Sequence, residues 1–386
     1  MQYVNLEQIA DILNGYNFKS SNYVNHGVRV IRITNVQQGY LEDKDPVFYE
    51  YTKDLDKYML KENDLLMSLT GNVGRVGMLV PSLLPAGLNQ RVACIRCKND
   101  NFNIKFLFYF FNNELFRKNA VSNSNGVAQL NLSTEWLKKV KIPAYDENKQ
   151  YKIVEEIDNI VDLIDNTKKH LTNLDNIVKS QFIEMFGDLT SNYDYPKFKI
   201  DDLAFVTKLA GFEFTEYINY QSSGDIIMLR GLNCKNGKLV LDDIKWIDVE
   251  TSKKLPRSQL FNGDILMTYA GTVGDVALVD EDDKYHLAPN VAKISLNDKS
   301  SNNPIFFIHL FMFTKDYILS NTAGVAQMAL SMKKIRDFEY HIPPIELQNK
   351  FANFVQQIDK SKFIIHKQIK LLEELLDKKM HEYFGD

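Results

Sequence analysis

The sequence predicts an α+β fold in which two similar strand-rich globular domains are separated by two long antiparallel helices, a coiled-coil-like pair, in a pseudo-twofold tandem repeat. Two observations predict it. The chain matches itself at a shift of about 200 residues, and each copy ends in an unbroken helical pattern. A chain of 386 residues that is 45% hydrophobic can build two or three packed domains.

The internal repeat sets the domain organisation. Its clearest match pairs Asn63–Gly74 with Gly263–Gly274, and both segments contain Asp-(Leu/Ile)-Leu-Met and end in Gly-x-Val-Gly. The other matches follow in the same order: Arg32, Asn35 and Gly39 with Arg230, Asn233 and Gly237; 126–133 with 324–331; Ile142-Pro143 with Ile342-Pro343; and 186–188 with 384–386. The predicted boundaries are a first domain at 1–145, a long helix at 146–190, a second domain at 191–345 and a second long helix at 346–386.

The first part of each copy is predicted to be rich in strands. Short runs of Val, Ile and aromatic residues, such as 29–33 and 91–95, alternate with Gly, Asn, Asp and Pro, and a helical segment at 104–118 interrupts them. The Gly-x-Val-Gly segments at 71–74 and 271–274 could cradle a phosphate. The strand-like runs before them favour a turn between two strands instead.

After Pro143 and Pro343 the pattern is helical without a break. Apolar residues recur at alternating steps of three and four, which is typical of a helix with a narrow apolar seam. Each helix of about 38 residues would be roughly 57 Å long, and its narrow seam favours antiparallel packing against the other long helix. The alternative is that each helix packs on its own domain. The seam residues are Ile153, Ile157, Ile160, Ile164, Leu171, Leu174, Val178, Phe351, Val355, Ile358, Ile365, Ile369, Leu372 and Leu376.

Several classes of protein are disfavoured by the motifs that the sequence lacks. Three cysteines are too few for a disulfide framework, and the single Cys-x-x-Cys at 94–97 has no second ligand pair, so no metal site is expected. No nucleotide-binding glycine motif occurs. The acidic clusters at 42–44 and 281–284 resemble solvated turns more than a nuclease site. Without a long apolar segment or a signal peptide, the chain is expected to be cytoplasmic.

Charge is distributed unequally between the two copies. The net charge of -4 argues against binding of nucleic acid through bulk electrostatics. The segment 65–141, however, has ten Lys or Arg against three acidic residues, whereas the equivalent segment 265–341 has seven against nine. The first segment could therefore face phosphate groups, or it could be a solvated basic surface.

Two strand-rich domains, each followed by a long helix, with repeated Gly-x-Val-Gly, Gly-Val-Ala-Gln and Ile-Pro motifs, resemble the specificity subunit of type I restriction-modification systems. The resemblance covers essentially the whole chain. It implies a non-catalytic subunit in which each domain reads one half of a bipartite DNA site and the helices fix the gap. It also implies two methyltransferase subunits, which dock on the helices and carry S-adenosylmethionine, and motor-nuclease subunits that use ATP. No cofactor is expected on this chain.

The candidate DNA contacts lie on the repeated turns and just after the central strand. Arg, Asn and Gln can pair with base edges, and Lys can neutralise phosphate. Residues that are identical in both copies could instead hold the fold, since two different readers should differ where they read. The candidates are Arg32, Thr34, Asn35, Ser68, Thr70, Asn72, Arg75, Gln90, Arg91, Gln129 and Asn131 in the first copy, and Arg230, Asn233, Thr268, Tyr269, Thr272, Asn290, Gln327 and Ser331 in the second, with Lys333 and Lys334 as phosphate contacts.

Two other classes of function stay open at this point. The chain could be a self-contained DNA methyltransferase or nuclease with unrecognised motifs, which methyl transfer or cleavage by the purified chain alone would indicate. It could also be a coiled-coil adaptor that binds only proteins. Sequence-specific binding to duplex DNA in the presence of a methyltransferase partner separates the adaptor from a DNA-reading subunit. Unequal residues at matched positions, such as Arg75 and Asp275, predict an asymmetric DNA site.

Overall fold

The computed structural model describes residues 2–98, 102–126, 130–192, 194–322 and 329–385. The chain forms two compact units. Unit 1 comprises Met1–Lys168 and Lys367–Asp386, and unit 2 comprises Lys169–His366. Each long helix therefore contributes its two ends to different units.

Unit 1 contains two four-stranded sheets, a two-stranded ribbon and several short helices. Its strands are β1 Tyr3–Asn5, β2 Ala10–Asn14, β3 Tyr23–Val24, β4 Val28–Ile31, β5 Phe48–Tyr49, β6 Leu65–Ser68, β7 Val76–Met78, β8 Ala86–Leu88, β9 Val92–Cys97 and β10 Lys141–Pro143. Its helices are α1 Leu6–Ile9, α2 Ile104–Asn112, α3 Glu114–Ser122, α4 Thr134–Lys138 and the first part of α5 Glu147–Phe186.

The two sheets of unit 1 meet at β6. One sheet has the strand order β2-β9-β6-β7 and is antiparallel, and the other has the order β3-β5-β4-β8, in which β4 and β8 run parallel. Leu65 and Met67 face a core beneath α2, whereas Leu66 faces a second core shared with β8. This alternation explains why Leu65, Leu66 and Met67 of β6 are all apolar, because both faces of the strand are buried.

Unit 2 also contains two four-stranded sheets, and it repeats the strand order of the antiparallel one. Its strands are β11 Lys197–Lys199, β12 Ala204–Lys208, β13 Ile226–Leu229, β14 Cys234–Lys235, β15 Lys238–Leu239, β16 Lys245–Ile247, β17 Gln259–Leu260, β18 Ile265–Thr268, β19 Val276–Leu278, β20 Tyr285–Leu287, β21 Val291–Leu296 and β22 Glu339–His341. Its helices are α6 Ile200–Leu203, α7 Gly211–Tyr217, α8 Val249–Lys254, α9 Pro304–Phe313, α10 Lys315–Ser320, α11 Met332–Arg336 and the first part of α12 Ile345–Phe384. The main sheets have the orders β12-β21-β18-β19 and β16-β13-β20-β17. The first matches the β2-β9-β6-β7 sheet strand for strand. In the second, β16-β13-β20 corresponds to β5-β4-β8, and the fourth strand lies at opposite edges, beside β5 in unit 1 and beside β20 in unit 2.

The two long helices run antiparallel wherever they meet within a unit. In unit 1, Lys168 Nζ lies 2.9 Å from a carboxylate oxygen of Glu373, and Glu156 pairs with Lys379 at 2.9 Å. In unit 2, the Phe182 and Phe351 rings pack with centroids 5.2 Å apart. Both helices contain 40 residues, and the predicted fold class is confirmed.

The predicted seam residues are all buried or half-buried, and the ends of the seam also belong to the cores of the units. Ile153 and Ile157 pack with Phe106 of α2 and with Phe384 from the end of α12. Val178 and Phe351 occupy the equivalent core in unit 2. Packing of helix on helix and packing of helix on domain, posed above as alternatives, therefore both occur.

A buried glutamine fastens the start of each long helix to its unit. Gln150 Oε1 accepts a hydrogen bond from Asn103 N at 2.9 Å, and its Nε2 donates to Tyr145 O at 2.8 Å. Gln348 makes the same pair of bonds in unit 2, at 2.9 and 2.8 Å. Both glutamines are 1% exposed. Because Asn103 caps α2, each glutamine links the long helix to the helical layer over the sheet.

Within the ranges that the structure describes, no helix combines the length and the apolar character that a membrane crossing needs.

Candidate nucleic-acid interface

Two pairs of candidate residues that are identical in both copies, Arg32 with Arg230 and Asn35 with Asn233, hold turns. Asn35 and Asn233 are almost completely buried, and each accepts a hydrogen bond from the main-chain N–H three residues earlier, at 2.9 and 3.0 Å. Each also donates to the carbonyl seven residues later, at 2.9 and 2.7 Å. Arg32 and Arg230 each donate from Nη2 to the carbonyl thirteen residues later, at 2.8 Å. Both Asn side chains therefore serve the fold, and we leave them out of the proposed contact surface.

Ser68 and Thr268 are also structural. Ser68 is 1% exposed, its Oγ donates to Asn72 O at 2.5 Å, and it accepts from Arg75 N at 3.1 Å. Thr268 is fully buried and makes the equivalent contacts in unit 2. These buried hydroxyls hold the Gly-x-Val-Gly turn by hydrogen bonds to its main chain. Ser68 and Thr268 are therefore also not part of the proposed contact surface. The turn joins two antiparallel strands, as the runs around it predict.

Three loops converge beside this turn in each unit, and we call this region the three-loop surface. In unit 1 it consists of residues 69–75, 89–91 and 130–133, and in unit 2 of residues 269–275, 288–290 and 329–331. Main-chain hydrogen bonds hold the loops together in unit 1, from Leu69 N to Arg91 O at 3.0 Å and from Leu132 N to Leu69 O at 2.7 Å. In unit 2, Tyr269 N donates to Asn290 O at 3.0 Å, and Leu330 N donates to Tyr269 O at 2.8 Å. The repeated motifs, distant in sequence, thus meet at one surface.

The structure brings most of the remaining candidates to this surface. Thr70 Oγ1 donates to Asn131 Oδ1 at 3.0 Å, and the Lys208 ammonium lies 5.2 Å from the centre of the half-buried Tyr269 ring. Thr34, Lys333 and Lys334 are exposed but lie outside the three-loop surface. Ser331 lies on it, and its hydroxyl caps α11 by accepting a hydrogen bond from Lys334 N. Gln129 and Gln327 lie outside the described residues. The candidates with exposed side chains on the three-loop surface are Asn72, Gln90, Arg91, Asn131, Thr272, Asn290 and Ser331.

Three residues beside this surface, Gln37, Arg117 and Lys118, are not among the candidates that the sequence predicts. Gln37 Oε1 accepts a hydrogen bond from Arg75 Nη1 at 2.7 Å and so orients the one candidate arginine on the turn. Arg117 and Lys118 of α3 lie next to the same turn. The excess of basic residues in 65–141 was a signal for the last two, but no pattern in the sequence connects Gln37 with a residue 38 positions away.

Cys94 and Cys234 are buried, unreactive cysteines. Burial raises the pKa of Cys234 to about 12 and raises the pKa of Cys94 as well. Both side chains are therefore neutral thiols at pH 7, whereas a nucleophilic cysteine reacts as the thiolate. Among the described residues, no three His, Cys, Asp or Glu side chains are grouped so that they could hold a metal ion.

Comparison with known proteins gives consistent matches. The family model described as the type I restriction modification DNA specificity domain matches residues 1–176 and 192–374. The chain is 26% identical over 395 residues to the type I restriction enzyme EcoBI specificity subunit of Escherichia coli, a match that covers 95% of this chain and 81% of that protein. It is 29% identical over 187 residues to the MjaVIII specificity subunit of Methanocaldococcus jannaschii, covering 44% of each protein.

Solved structures show the same fold at low sequence identity. A chain from a study of complex assembly and conformational transition of the type I R-M system superposes with a TM-score of 0.65 at 12% identity, over 99% of this chain and 97% of that chain. The S subunit of a type I restriction-modification system from M. genitalium superposes with a TM-score of 0.53, also at 12% identity, over 100% of this chain and 96% of that one.

Proposed function

Because the chain belongs to the family of type I restriction-modification DNA specificity subunits, we propose that its two units each read one half of an asymmetric, bipartite DNA site. Family membership confirms the resemblance drawn from the sequence and identifies the chain as a DNA-recognition subunit that is not itself catalytic. It therefore disfavours a self-contained enzyme and a coiled-coil adaptor that binds only proteins.

One observation carries the proposal of two unequal readers. The buried residues that close the turns are the same or similar in both units, Asn35 with Asn233 and Ser68 with Thr268, whereas most exposed residues on the three-loop surfaces differ. Asn72 stands where unit 2 has Thr272, and Arg91 stands where it has Asn290. A common scaffold with different exposed hydrogen-bonding groups supports recognition of two different base sequences.

We further propose that α5 and α12 set the gap between the two half-sites and dock two methyltransferase subunits. Each helix has 40 residues and contributes to the core of both units, so a change in its length must change how the units are connected. In such an assembly, S-adenosylmethionine and ATP bind the methyltransferase and motor-nuclease partners, and the cytoplasm is the location that this role requires.

Deletion of residues 165–168 from α5 tests the spacing role. Four residues correspond to about 6 Å of helix, or roughly two base pairs at about 3.4 Å each. Methylome sequencing of a host that carries the variant should show the same two half-sequences with an altered gap. Replacing the same four residues by alanine keeps the helix length and should leave the gap unchanged. If the deletion variant is active and methylates sites with the original gap, the helices do not set the spacing.

A further inference from the structure

Unit 1 has a basic cleft beside the turn between β6 and β7. The cleft has a volume of about 380 Å³ and lies between the turn residues Gly71, Asn72 and Arg75 on one side and Arg117 and Lys118 of α3 on the other. None of the described residues that line it is acidic. We call this site the basic cleft.

The positive charge of the basic cleft is largely uncompensated. Arg75 is oriented by Gln37, a neutral partner, so its full charge remains. Arg117 is exposed and has no acidic partner within 4.0 Å among the described residues. Lys118 pairs with Glu114 at 3.0 Å, but both side chains are about two-thirds exposed, and such surface pairs are weak. The cleft therefore attracts an anion.

The equivalent site in unit 2 can be identified from the packing of the turn on its helix. A Cβ placed on Gly74 would lie 3.0 Å from Ala120 Cβ, and one placed on Gly274 would lie 3.4 Å from Ile318 Cγ2. Ala120 of α3 and Ile318 of α10 therefore both pack against the second glycine of the turn. They differ by 198 residues, the same shift as the repeated segments 126–133 and 324–331, and this alignment pairs Arg117 with Lys315 and Lys118 with Asp316. On the turn itself, Asp275 replaces Arg75.

The charge of the site is reversed in unit 2. The Lys315 ammonium lies 2.5 Å from Asp275 Oδ1, so the one basic residue is already neutralised by the residue that replaces Arg75. Asp316 adds a further negative charge where unit 1 has Lys118. An anion that binds the basic cleft of unit 1 would be repelled at the same place in unit 2.

We propose that the basic cleft binds a backbone phosphate of the DNA, and that only unit 1 makes this contact. The inference rests on the proposed function, because it assigns one ligand group to the surface that reads DNA. Asn72, an exposed residue of the three-loop surface, lines the cleft. Gly71 has a φ of 72°, and a Cβ there would meet no atom within 4 Å, so the backbone of the turn is open to a close approach. The two half-sites are thus held by unequal electrostatic contacts.

The salt dependence of DNA binding tests this proposal. The chain is assembled with its methyltransferase subunits, and its affinity for a duplex that carries its site is measured between about 50 and 200 mM salt, a range over which phosphate contacts weaken strongly. The double variant Arg117→Gln and Lys118→Gln should reduce the slope of log K against log salt by about 0.9 for one lost phosphate contact. The conservative variant Arg117→Lys and Lys118→Arg should keep the slope.

Lys315→Gln is the matched control in unit 2. The slope should not change, because Asp275 already neutralises the charge of Lys315. Arg117 and Lys118 are exposed, so the thermal midpoint of their glutamine variant should equal that of the unaltered chain.

The outcomes separate the two proposals. If the unaltered assembly does not prefer its own site, the proposed function fails. If it prefers the site but the double glutamine variant keeps the full slope, only the basic cleft proposal fails. A changed base preference in one half-site would show that the residues read bases, and weaker assembly with the methyltransferase at unchanged DNA affinity would show that the cleft holds an acidic protein segment. Either result overturns the phosphate assignment.

Discussion

Replacing Gln150 by alanine should destabilise unit 1 more than any exposed glutamine replacement. The change removes two hydrogen bonds, one that Gln150 Oε1 accepts from Asn103 N and one that its Nε2 donates to Tyr145 O, and it leaves a gap at a site that is 1% exposed. Each bond contributes about 1 kcal/mol net, and a buried group left without a partner costs about 1 to 3 kcal/mol. We therefore expect a loss of about 2 to 4 kcal/mol in the free energy of unfolding.

Urea unfolding followed by circular dichroism measures this loss. The matched control is Gln368→Ala, the same change at an exposed position of α12, which should alter the free energy of unfolding by less than about 0.5 kcal/mol. Gln348→Ala should reproduce the effect of Gln150→Ala in unit 2, because the two glutamines make the same bonds. Equal stability of Gln150→Ala and Gln368→Ala would refute the idea that the buried glutamine fastens the helix to its unit.

Two further predictions concern buried residues. Asn233→Ala should lower the free energy of unfolding by about 2 to 3 kcal/mol, because the fully buried Asn233 makes three hydrogen bonds. Asn72→Ala, at an exposed position, should leave that free energy unchanged and alter the base preference that methylome sequencing records. The opposite pattern would show that Asn233 contacts DNA and that Asn72 holds the fold. Burial lowers the pKa of His286 below its usual range, so the unfolded chain binds its proton at a higher pH than the folded chain does. The free energy of unfolding should therefore fall as the pH drops below about 6.5, and His286→Gln should make this fall smaller. Urea unfolding between about pH 7.5 and 5.5 measures it. If the variant loses as much stability over this range as the unaltered chain, His286 is not the source of the pH dependence.

The parts of the fold that depend on periodicity were predictable from the sequence. The repeat gave the equivalence of β6 with β18, and the spacing of apolar residues gave two long helices. Periodicity does not reveal what an apolar face packs against. Ile153 fits the seam of a helix pair, but its position in a domain core depends on Phe106 and Phe384, which are distant in sequence.

The candidate site was harder to predict because one residue type can serve a turn or a ligand. Asn35 and Asn72 have the same hydrogen-bonding groups, and only the fold shows that the first is buried while the second is exposed. The parallel pairing of β4 with β8 joins segments that are about 57 residues apart, and neither segment carries a signal for its partner. The contact of Gln37 with Arg75 likewise joins two residues that are distant in sequence, and only the tertiary fold brings them together.

The discontinuity of unit 1 has a consequence for biosynthesis. Its core includes Tyr383 and Phe384, and the Phe384 ring packs 5.2 Å from that of Phe106 and 5.9 Å from that of Phe110. Unit 2, in contrast, is one continuous stretch, Lys169–His366. A ribosome that starts at the amino end therefore delivers every residue of the later unit before the earlier one is complete. The sheets of unit 1 therefore keep an apolar surface exposed until the last turn of α12 has been synthesised. The nascent chain is prone to aggregation during that interval.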